Sequence, residues 1–147
     1  MNVTELISQD EGFSPNVYDD HTGRLIAPGY TVVGHPTVGY GVRLDGAGLT
    51  EEEATLLRDG RINQAKMQAV GFPWFPGLSI PRQAVVISMI YQLGLSGFRG
   101  FKRMIAALST RNFEEAAKQA LLSKWAVQTP ERAERMAEML RTGEWPV

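Results

Sequence analysis

The stretch Val17-Tyr18-Asp19-Asp20-His21-Thr22-Gly23, running on through Ala27-Pro28-Gly29 and Gly34-His35-Pro36 to Thr37-Val38-Gly39-Tyr40-Gly41, decides the fold. Val, Tyr and Thr are broken there by Gly, Pro, Asp and His clusters, the pattern of short strands separated by turns. The pattern predicts a small antiparallel sheet with strands near 16–19, 24–26, 30–33 and 37–42. The flanking sequence reads as helix. Asn2 can cap a short first helix with Glu5 as its capping-box partner, and Gly12 reads as its stop.

Beyond the sheet, Thr50 followed by Glu51-Glu52-Glu53 is an N-cap with acids in the first turn, opening a helix predicted to reach about Val70. Gly60 lies inside it at a cost of about 1 kcal/mol relative to Ala. Gly71-Phe72-Pro73-Trp74-Phe75-Pro76-Gly77 breaks the helix into a loop. The next helix opens at Ser79 and Pro81. Its centre, Ala84-Val85-Val86-Ile87-Ser88-Met89-Ile90-Tyr91, is apolar nearly all round and belongs inside a bundle. Gly94 is expected to end it. Helices follow at about 97–108 and 112–123, and a last one has Thr129 as N-cap, Pro130 at the first position and Gly143 as its end. The class is α+β: a small antiparallel sheet lobe joined by a long helix to a larger helical lobe.

Composition narrows the function. With 147 residues the chain has the length of one domain. It has no cysteine, which excludes disulfides and thiolate metal sites. No apolar run approaches the roughly 18 residues of a membrane span, so no stable membrane insertion is expected. The amino terminus shows no signal-peptide pattern, and accumulation in the cytoplasm is the expectation. Net charge is only −1, weaker than the basic balance of nucleic-acid proteins. The halves differ, however. Residues 1–60 hold ten acids and three bases, whereas residues 61–147 hold twelve bases and six acids. Such asymmetry could line a cleft with walls of opposite sign, or simply reflect two solvated surfaces.

Glu11 stands at the carboxyl end of the first helix, where the dipole disfavours a carboxylate and so suits a general acid. Asp20, nine residues on, supplies a second carboxyl, and Asp19 is its direct rival. Two carboxylates in different environments can divide into acid and base, as glycoside cleavage requires. Taken singly, each of these residues is better explained as a solvated or turn-forming side chain, and Thr37 as an ordinary strand residue. His21, His35, Asp19 and Asp20 read as turn residues rather than a metal site. A calcium loop starting at Asp19 would have Tyr30 where the twelfth-position Glu belongs. No metal or cofactor is expected.

These motifs resemble the phage-type lysozymes, the endolysins of the T-even phage kind. In that family a Glu, eight intervening residues and an Asp precede a Thr-x-Gly-x-Gly strand, which selects Asp20 over Asp19 and matches Thr37. The likeness continues through Arg82-Gln83-Ala84, Met89-Ile90-Tyr91-Gln92-Leu93-Gly94, Gly97-Phe98-Arg99-Gly100-Phe101 and Ser123-Lys124-Trp125. It closes with Gln128-Thr129-Pro130-Glu131-Arg132-Ala133 and Arg141-Thr142-Gly143-Glu144-Trp145. The resemblance implies one lysozyme domain over 1–147, with a sheet lobe at about 13–48, a connecting helix at about 50–70, and a helical lobe from 1–12 and about 78–147.

The implied activity is inverting hydrolysis of the β-1,4 bond between N-acetylmuramic acid and N-acetylglucosamine. Glu11 would be the acid, Asp20 the residue holding or deprotonating water, and Thr37 a positioning hydroxyl. Arg132 is implied to pair with Glu11 and tune it, while Tyr91, Gln92 and Gln128 match cleft positions. The implied partner is bacterial peptidoglycan, met by a monomer that accumulates in the host cytoplasm and is released to the wall through a separately made hole. A non-catalytic peptidoglycan-binding module and a lytic transglycosylase are the competing readings. Two departures stand out. Sixteen residues separate Asp20 from Thr37 where the family has about five, predicting an added hairpin around Leu25–His35. The His that often follows the Gly-x-Gly strand is replaced by Val42 and Arg43, and Arg43 could reach substrate.

Overall fold

Asn2 starts the first helix as its side chain dictates. Its Oδ1 accepts the Glu5 N–H at 3.0 Å, and Glu5 Oε2 accepts the Asn2 N–H at 3.0 Å. This capping box satisfies two of the donors that a helix start leaves unpaired. Helix α1 (Val3–Glu11) ends at Gly12, whose φ of 66° only glycine adopts cheaply. The structure, a computed structural model, describes residues 2–147. The chain divides into two compact units, Met1–Thr55 and Leu56–Val147.

In the first unit, β1 (Ser14–Asp19), β2 (Pro36–Gly39) and β3 (Val42–Arg43) form an antiparallel sheet in that order. Tyr18 pairs with Thr37 and Asp19 with Pro36, while Thr37 also pairs with Arg43 on its other side. The strands expected at 24–26 and 30–33 are not formed as such. Leu25 makes a lone bridge to Tyr18, and Ile26 donates its N–H to Val17 O at 3.0 Å. Residues 30–33 form no strand. The cause is Asp19, whose buried carboxylate takes the N–H groups of Val33 and Gly34 that a ladder would need. The extra length at Leu25–His35 is therefore a loop drawn onto a carboxylate, not a hairpin.

Helix α2 (Glu51–Val70) opens with a second capping box, Glu53 N–H to Thr50 Oγ1 at 3.1 Å and Thr50 N–H to Glu53 Oε2 at 2.7 Å. It stays helical through Gly60. A 3-10 turn at Phe75–Gly77 leads into α3 (Ile80–Arg99), followed by α4 (Lys102–Ser109), α5 (Phe113–Leu121), α6 (Lys124–Gln128) and α7 (Pro130–Thr142). Gly94, at φ 74° and ψ 165°, breaks α3, but the helix resumes at once and runs to Arg99. The segment beginning at Gly97 thus finishes α3 instead of starting the next helix. Phe98 is fully buried there, and the chain then bends by 101° into α4.

The second unit holds the core. Val85, Val86, Met89, Phe98, Met104, Leu108 and Leu140 are all at most 1% exposed. Burying each such side chain contributes about 1.5–3 kcal/mol before conformational entropy is charged against it. Thr129 does not cap α7 with its side chain. Its hydroxyl donates to Trp125 O at 2.9 Å, the same carbonyl that accepts the Thr129 N–H at 2.9 Å where α6 ends. Among the described residues no single helix is long and apolar enough to cross a membrane.

Candidate functional site

Glu11 is the last residue of α1 and is exposed. Its side chain lies against the backbone of Gly41 in the β2–β3 turn. A Cβ at position 41 would stand 2.7 Å from Glu11 Cδ and 3.0 Å from its Cγ. Gly41 also has a φ of 72°, so glycine is demanded twice, by the turn and by the carboxylate resting on it. The second glycine of the Thr-x-Gly-x-Gly pattern thus seats Glu11 on the sheet.

Asp20 follows β1 directly and is exposed. Its N–H donates to His35 O at 3.1 Å, and its Oδ1 accepts the His35 N–H at 2.7 Å. Gly34 permits this approach, since a Cβ there would overlap Asp20 Oδ1 and stand 2.7 Å from His21 Cβ. Thr37, 2% exposed on β2, donates its hydroxyl to the same His35 carbonyl at 3.0 Å. Asp20 and Thr37 are therefore tied to one peptide despite the sixteen residues between them.

Asp19 has a different occupation. It is wholly buried and accepts from His21 N–H at 2.9 Å, Val33 N–H at 2.7 Å, Gly34 N–H at 3.0 Å and Tyr30 O–H at 3.0 Å. Desolvation pushes its carboxyl up, but these donors together outweigh burial and hold it well below the usual carboxylate range. Asp19 is spent on structure, which leaves Asp20 as the solvent-facing carboxylate of the pair.

Arg43 does not project alone. Its Nη2 lies 2.8 Å from His35 Nδ1, and its Nε lies 3.6 Å from Asp45 Oδ1. Asp45 Oδ2 in turn lies 2.8 Å from the same Nδ1. The hydrogen bond with His35, helped by the nearby Arg43 charge, lowers the Asp45 carboxyl below its ordinary value against partial desolvation. Sequence reasoning took His35 for a turn residue and missed Asp45. His35, from the loop between Asp20 and Thr37, supplies a histidine beside Arg43, an arrangement no local spacing signals.

In the second unit, Tyr91 is 48% exposed and lines a groove of about 440 Å³ with Arg61, Gln64, Gln68 and Gly94. Gln92 Oε1 accepts the Trp125 indole N–H at 3.0 Å. Gln128 shares a cavity of about 560 Å³ with Trp125, Phe101, Met104, Lys102 and Gln119. Arg132 is exposed in a shallow groove with Glu131 and Arg135. Among the described residues no three His, Asp or Glu side chains converge as metal ligands would.

No protein-family model matches the chain. It is 29% identical to the pre-baseplate central spike protein Gp5 of Enterobacteria phage T4, across 97% of this chain but only 28% of Gp5. The chain therefore spans little more than a quarter of that relative. It is 24% identical to probable T4-type lysozyme 1 of Dictyostelium discoideum and 23% identical to probable T4-type lysozyme 2, each across 97% of this chain and 95% of the relative. The resemblance to phage-type lysozymes read from the sequence thus extends over 97% of the chain.

Proposed function

We propose that the chain is a lysozyme-type peptidoglycan hydrolase that cleaves the β-1,4 bond between N-acetylmuramic acid and N-acetylglucosamine with inversion. The observation that carries this reading is the placing of two exposed carboxylates on one small sheet by glycines that leave room for them, Glu11 at Gly41 and Asp20 at Gly34. The full-length likeness to T4-type lysozymes supports it. Glu11 protonates the glycosidic oxygen as the leaving group departs. Asp20 takes a proton from the attacking water on the opposite face of the sugar. Thr37, with little surface of its own, fixes the His35 carbonyl that also receives the Asp20 N–H.

Arg132 belongs to the same proposal as the residue that tunes the acid. Arg43, Tyr91, Gln92 and Gln128 belong to it as saccharide contacts. The role in the cell is lysis of a bacterial host by a phage, the monomeric enzyme waiting in the cytoplasm until a separate lesion opens the membrane. Digestion of purified peptidoglycan with the protein and with Glu11→Gln tests the chemistry. Reducing muramic ends of inverted anomeric configuration, lost in the variant with folding preserved, are expected. Anhydromuramic ends would show a transglycosylase. Wall binding and lysis that survive Glu11→Gln would show a non-catalytic module.

A further inference from the structure

The backbone of His35 makes three hydrogen bonds to the proposed water-holding apparatus. Its N–H goes to Asp20 Oδ1 at 2.7 Å, and its carbonyl receives Asp20 N–H at 3.1 Å and Thr37 Oγ1 at 3.0 Å. Its neighbours anchor the chain on both sides, so what can still vary at this position is set by His35 itself. Val33 and Gly34 are pinned by their N–H groups to buried Asp19, and Pro36 has its φ locked by the pyrrolidine ring. The adjustable part is the imidazole, whose side chain is 42% exposed.

Nδ1 of that ring lies 2.8 Å from Asp45 Oδ2 and 2.8 Å from Arg43 Nη2. A carboxylate can only accept and a guanidinium can only donate, so one nitrogen serves one partner at a time. Protonated, Nδ1 donates to Asp45. With its lone pair free, it accepts from Arg43. Arg43 Nε remains 3.6 Å from Asp45 Oδ1, so the two partners are themselves linked while the ring changes allegiance. Arg43 also pairs with Thr37 across the sheet. Other ionisable groups near His35 are Asp20, after β1, and Asp19 and His21, both of which lie against Gly34.

We propose that His35, held between Asp45 and Arg43, is a positioning residue that aligns Asp20 and Thr37, and that exchange of its partner on protonation adjusts this alignment. The catalytic meaning of the alignment rests on the hydrolytic reading above. The coupling itself does not, and this separates the two in the test.

The variants are His35→Ala and His35→Asn. An Asn amide can donate to Asp45 and accept from Arg43 at once, without titrating. His35→Ala is expected to lower kcat about tenfold with KM within about twofold, the signature of misplacement rather than lost binding. His35→Asn is expected to restore kcat and to remove the limb of the pH profile that His35 contributes. In the wild-type protein, followed by NMR without substrate, the amide resonances of Asp20 and Thr37 should move together with the His35 ring nitrogens. In His35→Asn they should stay flat over the same range. Amides that stay flat while the wild-type ring titrates would overturn the inference, as would wild-type kcat in His35→Ala. Coupled amides in a protein that releases no reducing ends would refute hydrolysis and leave the coupling standing.

Discussion

The carboxylate of Glu11 rests on the α-carbon of Gly41, so the last residue of α1 and the β2–β3 turn are fitted to each other. Gly39, two residues earlier, offers a matched control. Its φ is 68° against 72° at Gly41, but a Cβ there would meet nothing within 4 Å. Replacing either by Ala puts a side chain in the left-handed region and costs about 1–2 kcal/mol. Only Gly41→Ala also displaces Glu11. Equal losses of melting temperature are expected, with hydrolysis of purified wall largely kept in Gly39→Ala and reduced at least about tenfold in Gly41→Ala. Equal activity of the two variants, assayed well below both melting points, would show that the Glu11 contact is incidental.

Asp19 and Asp20 are neighbours with opposite tasks, and their Asn variants should separate them. Asp19→Asn replaces an all-acceptor group by one whose amide end faces backbone donors. Segment 26–33 should become open to proteases and the first unit less stable. Asp20→Asn keeps an acceptor for the His35 N–H and should abolish hydrolysis with little change in stability. The pH dependence follows from the sign of the Asp19 shift. Its folded carboxyl titrates below the unfolded value, so the stability it contributes is complete above the usual carboxylate range. That contribution shrinks as pH falls below the ordinary carboxylate value and is gone once pH has passed the depressed folded value. Hydrogen exchange at the Val33 and Gly34 amides should thus stay slow well into acid. Complete loss of protection already in the ordinary Asp range would contradict this assignment.

Helix positions were legible because caps and breakers act locally. Asn2 with Glu5, Thr50 with Glu53 and Gly143 each do in the structure what their side chains allow in isolation. The loop at 30–33 was not legible. Thr31, Val32 and Val33 have strand propensity, and what overrides it is a carboxylate fourteen residues upstream of Val33. Thr129 misled for a related reason, since its hydroxyl answers a carbonyl of the preceding helix. The nine-residue step from Glu11 to Asp20 pointed to a pair that the structure leaves exposed. The His35–Asp45–Arg43 cluster had no signature, because its members come from an inserted loop, a strand and the chain beyond it.

Gln92 accepts the indole N–H of Trp125, a side chain only 4% exposed. Gln92→Leu would leave that donor buried and unpaired at a cost of about 1–3 kcal/mol, and Trp125→Phe in the same background should recover part of it. If Gln92 serves only the indole, KM on soluble wall fragments should be unchanged in Gln92→Leu at temperatures where the variant is folded. A severalfold rise in KM at full folding would place it among the saccharide contacts as well.

Arg82 joins the start of α3 to the end of α7. Its Nε donates to Leu140 O at 2.7 Å and its Nη2 to Arg141 O at 2.9 Å, while its guanidinium carbon stands 3.5 Å from the centre of the Phe113 ring. The carbonyls are those that the last turn of a helix leaves unpaired, where a cation also meets the negative end of the dipole. Arg82→Met keeps most of the stem but loses both bonds and the charge over the ring. The expected loss is about 2–4 kcal/mol, read as a lower denaturant midpoint in the second unit with an unchanged slope. Lys can reach one carbonyl but cannot present the planar fork, so Arg82→Lys should fall between the two. A Lys variant as stable as the wild type would mean that charge alone holds the end of α7, and that the bidentate geometry contributes nothing measurable.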